Sequence, residues 1–243
     1  LGVTPDGLSI NLDCGSTKPA PLCAEVVKQS ADLGIALDGD GDRVIMVDHR
    51  GEILDGDDLL FVIARDRLRT GSRFNAIVGT LMTNLGLEMA LRALGLDLHR
   101  VKVGVRYVLE RLLADHLILG GENSGHIICL DRTTTGDGII SALQVLAAML
   151  HSEKNLHDLK AGMTKYPQVL INVSVSGAVD LKLPPIQEAV RAVESQLGDH
   201  GRVLLRPSGT EPVVRVMVEG PDAGQVERHA RELAGVLRDT LSV

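Results

Sequence analysis

Leu33-Gly34-Ile35-Ala36-Leu37-Asp38-Gly39-Asp40-Gly41-Asp42-Arg43-Val44-Ile45-Met46-Val47 is the stretch around which the rest of the chain is organised: two apolar runs flank an acidic loop. In extended backbone, residues i, i+2 and i+4 share a face, so Asp38, Asp40 and Asp42 can converge on one point while the intervening glycines let the chain turn tightly. Three like charges this close repel strongly in a partly buried site, and all-carboxylate ligation favours a divalent cation, Mg²⁺ or Mn²⁺. An EF-hand fails on spacing. Counted from Asp38, Arg43 falls where that loop needs Gly and His49 where it needs Glu. Taken alone, the run reads equally well as a solvated acidic turn between two strands.

The 243 residues, 44% hydrophobic and 23% charged, suffice for one large or two ordinary domains with proper cores. Aromatics are 2% and Trp is absent, so the core must come from Leu, Val, Ile and Ala. That suits α/β layers and leaves no stacking platform for single-stranded nucleic acid. A net charge of −7 argues against nucleic-acid partners, and an anionic substrate would need a local basic pocket. Cys14, Cys23 and Cys129 are odd in number and lack C-x-x-C spacing, which reads as reduced cytosolic thiols. No apolar run approaches the ~20 residues of a membrane span, and no signal peptide precedes the first expected strand. A cytoplasmic protein without a membrane partner is expected. Because it begins at Leu1 rather than Met, the chain reads as a piece of something longer.

In order, Leu8 to Leu12 is a short strand or an approach to one. A helix follows to Ser30, with a Ser or Thr cap near Gly15-Ser16-Thr17-Lys18-Pro19 and Leu22, Val26 and Val27 inward. It delivers the chain into the strand ending at Asp38, and Asp48 to Glu52 turns the next strand back as a hairpin. Regular alternation begins at Gly56. Helices are expected over 57–68, 84–94, 107–114 and 137–150, and strands over 76–80, 98–103 and 116–119. Such spacing implies crossovers and a largely parallel sheet. After Lys154 the order becomes β-α-β-β-α, with strands at 169–175, 202–205 and 213–218 and amphipathic helices at 184–197 and 222–241. The fold class is therefore α/β: mixed, largely parallel α/β domains, one of them truncated, followed by a small α+β C-terminal domain. The expected boundaries are 1–55 for the truncated domain with the acidic loop, 56–155 for the α/β domain and 156–243 for the last.

Two further loops carry chemistry. Gly121-Glu122-Asn123-Ser124-Gly125-His126 follows a strand and so lies at a carboxyl end, where open α/β sheets place ligands. Glu122 can accept from vicinal hydroxyls, Ser124 can donate or accept, and His126 can be cationic or neutral near pH 7, which equips the loop for a sugar. A polar turn with a surface His is the plainer alternative. Arg206-Pro207-Ser208-Gly209-Thr210-Glu211-Pro212 joins two strands, and an Arg fork, two hydroxyls and exposed backbone N–H groups make a phosphate cradle without a P-loop lysine. A tight hairpin with an Arg before it is the plainer alternative here. Arg106, in Gly104-Val105-Arg106-Tyr107, reads equally as an anion contact or a structural residue at a helix start.

These three loops, in this order, resemble the metal, sugar and phosphate loops of the α-D-phosphohexomutase superfamily. Thr133-Thr134-Thr135-Gly136-Asp137-Gly138, Val216-Met217-Val218-Glu219-Gly220 and the Asn at 123 resemble its bacterial phosphoglucosamine mutase branch, and the likeness spans essentially the whole chain. It implies a Mg²⁺-dependent interconversion of glucosamine 6-phosphate and glucosamine 1-phosphate, on the way to UDP-N-acetylglucosamine. An enzyme phosphoserine would donate its phosphoryl group, and a hexose 1,6-bisphosphate would be intermediate and activator. On this likeness Asp38, Asp40 and Asp42 hold one Mg²⁺, and Arg43 acts near the phosphoserine. Glu122, Asn123 and Ser124 bind the phosphorylated amino sugar, with His126 for proton transfer, and Arg206, Ser208, Gly209 and Thr210 hold its non-transferring phosphate. A homodimer is compatible with it.

Two departures stand out. The family's Ser-His-Asn-Pro loop is absent, so the N-terminal domain with the nucleophile is missing, and the isolated chain is expected to be inactive. Val105 stands where the family usually has Asp. Three other readings remain: a phosphomannomutase/phosphoglucomutase of the same superfamily, a non-catalytic sugar-phosphate-binding module, and a Mg²⁺-dependent phosphatase.

Overall fold

The computed structural model describes residues 1–3, 7–175, 179–208 and 211–241, which fall in two compact units, Leu1–Thr164 and Lys165–Val243. In the first unit, helix α1 (Ala20–Gln29) leads into an antiparallel sheet of β1 (Leu33–Leu37), β2 (Val44–Asp48) and β3 (Ile53–Leu54), in that spatial order. Then come α2 (Gly56–Arg69), β4 (Ala76–Thr80), α3 (Leu85–Ala93), β5 (Asp97–Val101), α4 (Val105–Ala114), β6 (Leu119–Gly121), β7 (Ile127–Cys129), α5 (Gly138–Ser152) and α6 (Leu156–Leu159). The second sheet runs β5-β4-β6-β7, with β4 parallel to β5 and β6 and only β7 antiparallel. In this sheet the mixed, largely parallel pairing expected from the alternation is present, whereas the β1-β2-β3 sheet is antiparallel throughout.

Its layers follow from strand alternation. Ile77 points to a core built with Leu59, Leu60 and Ile63 of α2, Leu87 and Leu91 of α3 and Val145 of α5, whereas Ala76 and Val78 point to Val108 and Leu112 of α4. Val44, Met46 and Leu54 join the larger core, so the acidic-loop sheet is packed into the same unit. Helix α2 is buried on nearly all sides, and its start is fixed by a capping box. Asp55 accepts from the N–H groups of Asp57 and Asp58, and the Asp58 carboxylate accepts from Asp55 N–H.

Several local expectations are corrected. Leu8–Leu12 is a turn closed by Leu12 N–H on Ser9 O (3.0 Å), with Leu8, Ile10 and Leu12 exposed, because no strand among the described residues pairs with it. Helix α1 has no side-chain cap; Pro19 is its N-cap residue and a proline occupies its first turn. Val27 is 54% exposed, since it lies a helical step (~100°) round from the buried Val26. The strand expected at His116–Leu119 starts at Leu119, because His116 takes a left-handed φ of 54° just after α4. Strand β7 and helix α6, too short for periodicity to reveal, were not anticipated.

The second unit is an antiparallel sheet of order β8-β10-β9, built from β8 (Gln168–Ser174), β9 (Arg202–Pro207) and β10 (Val213–Glu219), with α7 (Pro184–Leu197) and α8 (Ala223–Leu241) packed on it. Val214, Val216 and Val218 of the central strand meet Ile186, Val193, Val226, Ala230, Leu233 and Leu237, realising both expected apolar stripes. No described helix is long and apolar enough to cross a membrane.

Candidate functional site

The acidic loop joins β1 to β2 as a hairpin. Gly41 takes a left-handed φ of 74° and donates to Asp38 O (3.2 Å), and Arg43 N–H donates to Asp38 Oδ1 (3.1 Å), which fixes that carboxylate. One oxygen from each of Asp38, Asp40 and Asp42 lies within 4.8 Å of the others. Asp42 Oδ1 is buried without a hydrogen-bond partner among the described residues. Burial raises the Asp42 carboxyl above its ordinary range, His126 opposes the rise, Asp38 and Asp40 add to it, and Arg43 again opposes it. Converging hard oxygens with one acceptor orphaned fit a divalent cation.

A second donor group, Asp48, Glu52 and His157, is equally close-packed. There Lys160 supplies the positive charge itself, its ammonium pairing with Glu52 and lying 3.6 Å from Asp48. At the aspartate triad, Arg43 Nε lies 3.5 Å from Asp38 and 3.9 Å from Asp42, one guanidinium against three carboxylates, whereas the other group sets Lys160 against two.

The sugar-type loop is the tight hairpin between β6 and β7. Glu122 N–H donates to His126 O and Gly125 N–H to Glu122 O, both at 3.0 Å. It is tied to its surroundings at three places. Val44 N–H donates to Gly125 O (3.0 Å), Gly56 N–H at the start of α2 donates to Asn123 O (3.0 Å), and Arg43 bridges to His126 in antiparallel fashion. Gly125, at φ 93°, lies so close to Val44 that a Cβ would collide with the Val44 carbonyl. The acidic and sugar-type loops are thereby one piece of backbone architecture.

Within it, Glu122 Oε1 accepts from Gly104 N–H (2.9 Å), which orients the carboxylate and leaves Oε2 for another donor. Asn123 is half-buried and Ser124 exposed. His126 is buried, with Nδ1 3.3 Å from Asp42 Oδ2 and its ring against Gly136. Arg106 lies on the exposed face of α4, stacked at 4.8 Å on Tyr107 and donating to its hydroxyl (3.0 Å). Helix α4 has Gly104 as its N-cap residue and so no side-chain cap, and with Val at 105 its first turn carries no acid.

In the second unit, Arg206 on β9 and Arg215 on β10 are direct cross-strand neighbours. The Nε atoms of both are buried without a hydrogen-bond partner among the described residues. Burial, and then Arg215, pull the Arg206 guanidinium below its ordinary range. Ser208 N–H donates to Val213 O (2.8 Å) and shapes the turn beside them, and Glu211 Oε2 accepts from Arg215 (2.9 Å). Gly209 and Thr210 lie outside the described residues. The sequence reading missed Arg215, although a charge interrupting the apolar alternation Val214-Arg215-Val216 was a visible signal.

The structure thus brings Asp38, Asp40, Asp42, Arg43, Glu122, Asn123, Ser124 and His126 into one region of the first unit and puts Arg206 and Ser208 at one hairpin of the second.

Residues 55–166 match the family model described as phosphoglucomutase/phosphomannomutase, alpha/beta/alpha domain III, and residues 170–236 match its C-terminal domain. The chain is 60% identical over 243 residues to phosphoglucosamine mutase of Methylococcus capsulatus, covering 100% of this chain and 54% of the relative. It is 63% identical over 235 residues to the protein of that name from Halorhodospira halophila, covering 96% and 52%. The chain therefore spans about half the length of the curated relatives it matches. Among solved structures, N-acetylphosphoglucosamine mutase of Aspergillus fumigatus, in complex with GlcNAc-6P and magnesium, superposes with a TM-score of 0.75 at 23% identity over 98% of this chain and 55% of that one. At that identity the likeness is one of fold.

Proposed function

Because the chain belongs to the phosphoglucomutase/phosphomannomutase family, of which it holds domain III and the C-terminal domain, we propose that it is the C-terminal half of a phosphoglucosamine mutase. The reaction is the interconversion of glucosamine 6-phosphate and glucosamine 1-phosphate through a hexose 1,6-bisphosphate, with a serine of the other half as phosphoryl carrier. Residues 1–55 are then the end of a domain whose remainder lies outside this chain. In support, the outer edge of β1 pairs with no described strand, and a hollow of about 570 Å³ lies beside it, lined in part by Ile10, Leu22, Ile35 and Leu37.

The observation that carries the reading is the aspartate triad, with its orphaned oxygen, held by backbone hydrogen bonds against the Glu122–His126 hairpin. Asp38, Asp40 and Asp42 would hold Mg²⁺, which when bound neutralises charge on a transferring phosphoryl group. Arg43, anchored at Asp38, sits at the edge of that site for a phosphoryl oxygen. Glu122 Oε2 accepts from sugar hydroxyls while Gly104 holds Oε1, and Asn123 and Ser124 flank it. His126 is the proton-transfer candidate nearest the acidic loop. Arg206 and Arg215, with Ser208, Gly209 and Thr210, take the non-transferring phosphate, whose charge answers two adjacent guanidinium groups.

Joining the chain to the N-terminal half of a close relative and assaying glucosamine 1-phosphate in a coupled reaction tests the proposal. Turnover that Asp40→Asn abolishes is expected. Release of inorganic phosphate instead would identify a phosphatase, and tight sugar-phosphate binding without turnover in the joined protein would identify a binding module.

A further inference from the structure

We infer that the segment Gly136-Asp137-Gly138 is a positioning strap that sets the geometry of the metal loop from behind. The inference rests on reading the aspartate triad as the cation site. The strap touches both parts of that site through positions where a side chain has no room. Gly138 N–H, the first of α5, donates to Gly41 O (2.9 Å) at the tip of the acidic loop. A Cβ on Gly138 would stand 2.9 Å from Gly41 O, 3.0 Å from Arg43 O and 2.7 Å from Leu37 Cδ2, so the acidic loop rests directly on helix backbone. Two residues earlier, Gly136 bridges Ile128 in antiparallel fashion, and a Cβ there would collide with the His126 imidazole at Nε2 and Cδ2. The other ring nitrogen of that His, Nδ1, is the group 3.3 Å from Asp42 Oδ2.

Two mechanical routes therefore end on the triad. One runs from Gly138 to the backbone between Asp40 and Arg43. The other runs from Gly136 through the buried His126 ring to the carboxylate of Asp42. Asp137 holds the strap in place by capping α5, its Oδ1 accepting from Ile140 N–H (2.9 Å). A cation site tolerates little misplacement of its oxygens, and groups that orient ligands from behind commonly change metal affinity about 10- to 100-fold when altered. None of the three residues offers a ligand atom to the triad. They are positioning residues, and their signature is a change in metal affinity without loss of fold.

The test is Mn²⁺ titration of the chain followed by electron paramagnetic resonance, with helicity and melting temperature recorded on the same samples. We expect Gly136→Ala and Gly138→Ala each to weaken Mn²⁺ binding about tenfold. Gly235→Ala, whose Cβ meets nothing within 4 Å, should bind as the unaltered chain does. Asp137→Ala adds no atoms against either loop and should also weaken binding, so it decides the matter if a glycine variant fails to fold. Binding unchanged in the folded strap variants but lost in Asp40→Asn overturns the inference and leaves the cation site standing. Binding that Asp40→Asn leaves intact overturns both.

Discussion

Arg206 and Arg215 face each other across neighbouring antiparallel strands as direct register partners, each with a buried Nε that has no hydrogen-bond partner among the described residues. Like charges in that relation cost roughly 0.2–1 kcal/mol, and an anion between them would convert the cost into affinity. Arg215→Gln should therefore leave melting without anion unchanged or slightly raised, the partly exposed pair with Glu211 contributing little. Affinity for glucosamine 6-phosphate should fall about 10- to 100-fold, the worth of about one charged hydrogen bond. Calorimetry with and without phosphate checks both halves. Unchanged affinity would remove Arg215 from the proposed phosphate site.

Asp55 offers a second lever, because the residue after it, Gly56, holds Asn123 O at 3.0 Å. Asp55→Ala removes the capping box of α2 and should cost about 1 kcal/mol in urea unfolding. The frayed helix start should also loosen the Glu122 hairpin, so sugar-phosphate affinity should drop in the same variant. A stability loss with affinity intact would show that the hairpin is held without α2.

Acid should attack the far end of β2. Burial alone would raise the Asp48 carboxyl, but hydrogen bonds from His157 and from the N–H groups of Glu52 and Arg50, with Lys160 nearby, outweigh it and hold the group below its ordinary value of 3.8. A folded value below the unfolded one means that this stabilisation is complete above about pH 3.8 and disappears as pH falls through the lower folded value. Asp48→Asn should cost about 1 kcal/mol at pH 7, since it weakens the bonds to His157 and to the N–H groups of Arg50 and Glu52, while Lys160 keeps Glu52. Its unfolding free energy should converge on that of the unaltered chain as pH drops below 4. Parallel curves would contradict the assignment.

On the proposed function the phosphoryl carrier belongs to the other half, so the chain by itself should not turn over glucosamine 6-phosphate. Mg²⁺ binding should be weak, with a dissociation constant above the micromolar range, because three carboxylates leave roughly half of an octahedral shell to water. Sustained glucosamine 1-phosphate formation in a coupled assay would contradict the first expectation, and submicromolar affinity by calorimetry the second.

Much of the fold was legible because its elements obey local rules. The strand Ala76–Thr80 and the helix Pro184–Leu197 appear with the bounds that alternation and helical periodicity assign them. Reading failed where elements are short or the pattern is ambiguous. Ile127–Cys129 is three residues long, too short for any period, and the apolar Leu8, Ile10 and Leu12 alternate like a strand yet are exposed and lie in no described strand. Val27 was misplaced because an apolar residue beside the inward face looks the same in sequence as one upon it.

Composition and motif order by themselves determined the α/β class, the places of three polar loops and the oxygen-rich character of the acidic one, because those follow from side-chain chemistry at fixed spacing. Only the tertiary structure decided that Val44, Gly56 and the strap at 136–138 hold two loops, some eighty residues apart, as one unit. It also decided that His126 is buried against Asp42 and that Arg215 stands beside Arg206. Those relations depend on backbone hydrogen bonds and close approach between distant segments, and no local pattern encodes the distance between residues that meet only when the chain has folded.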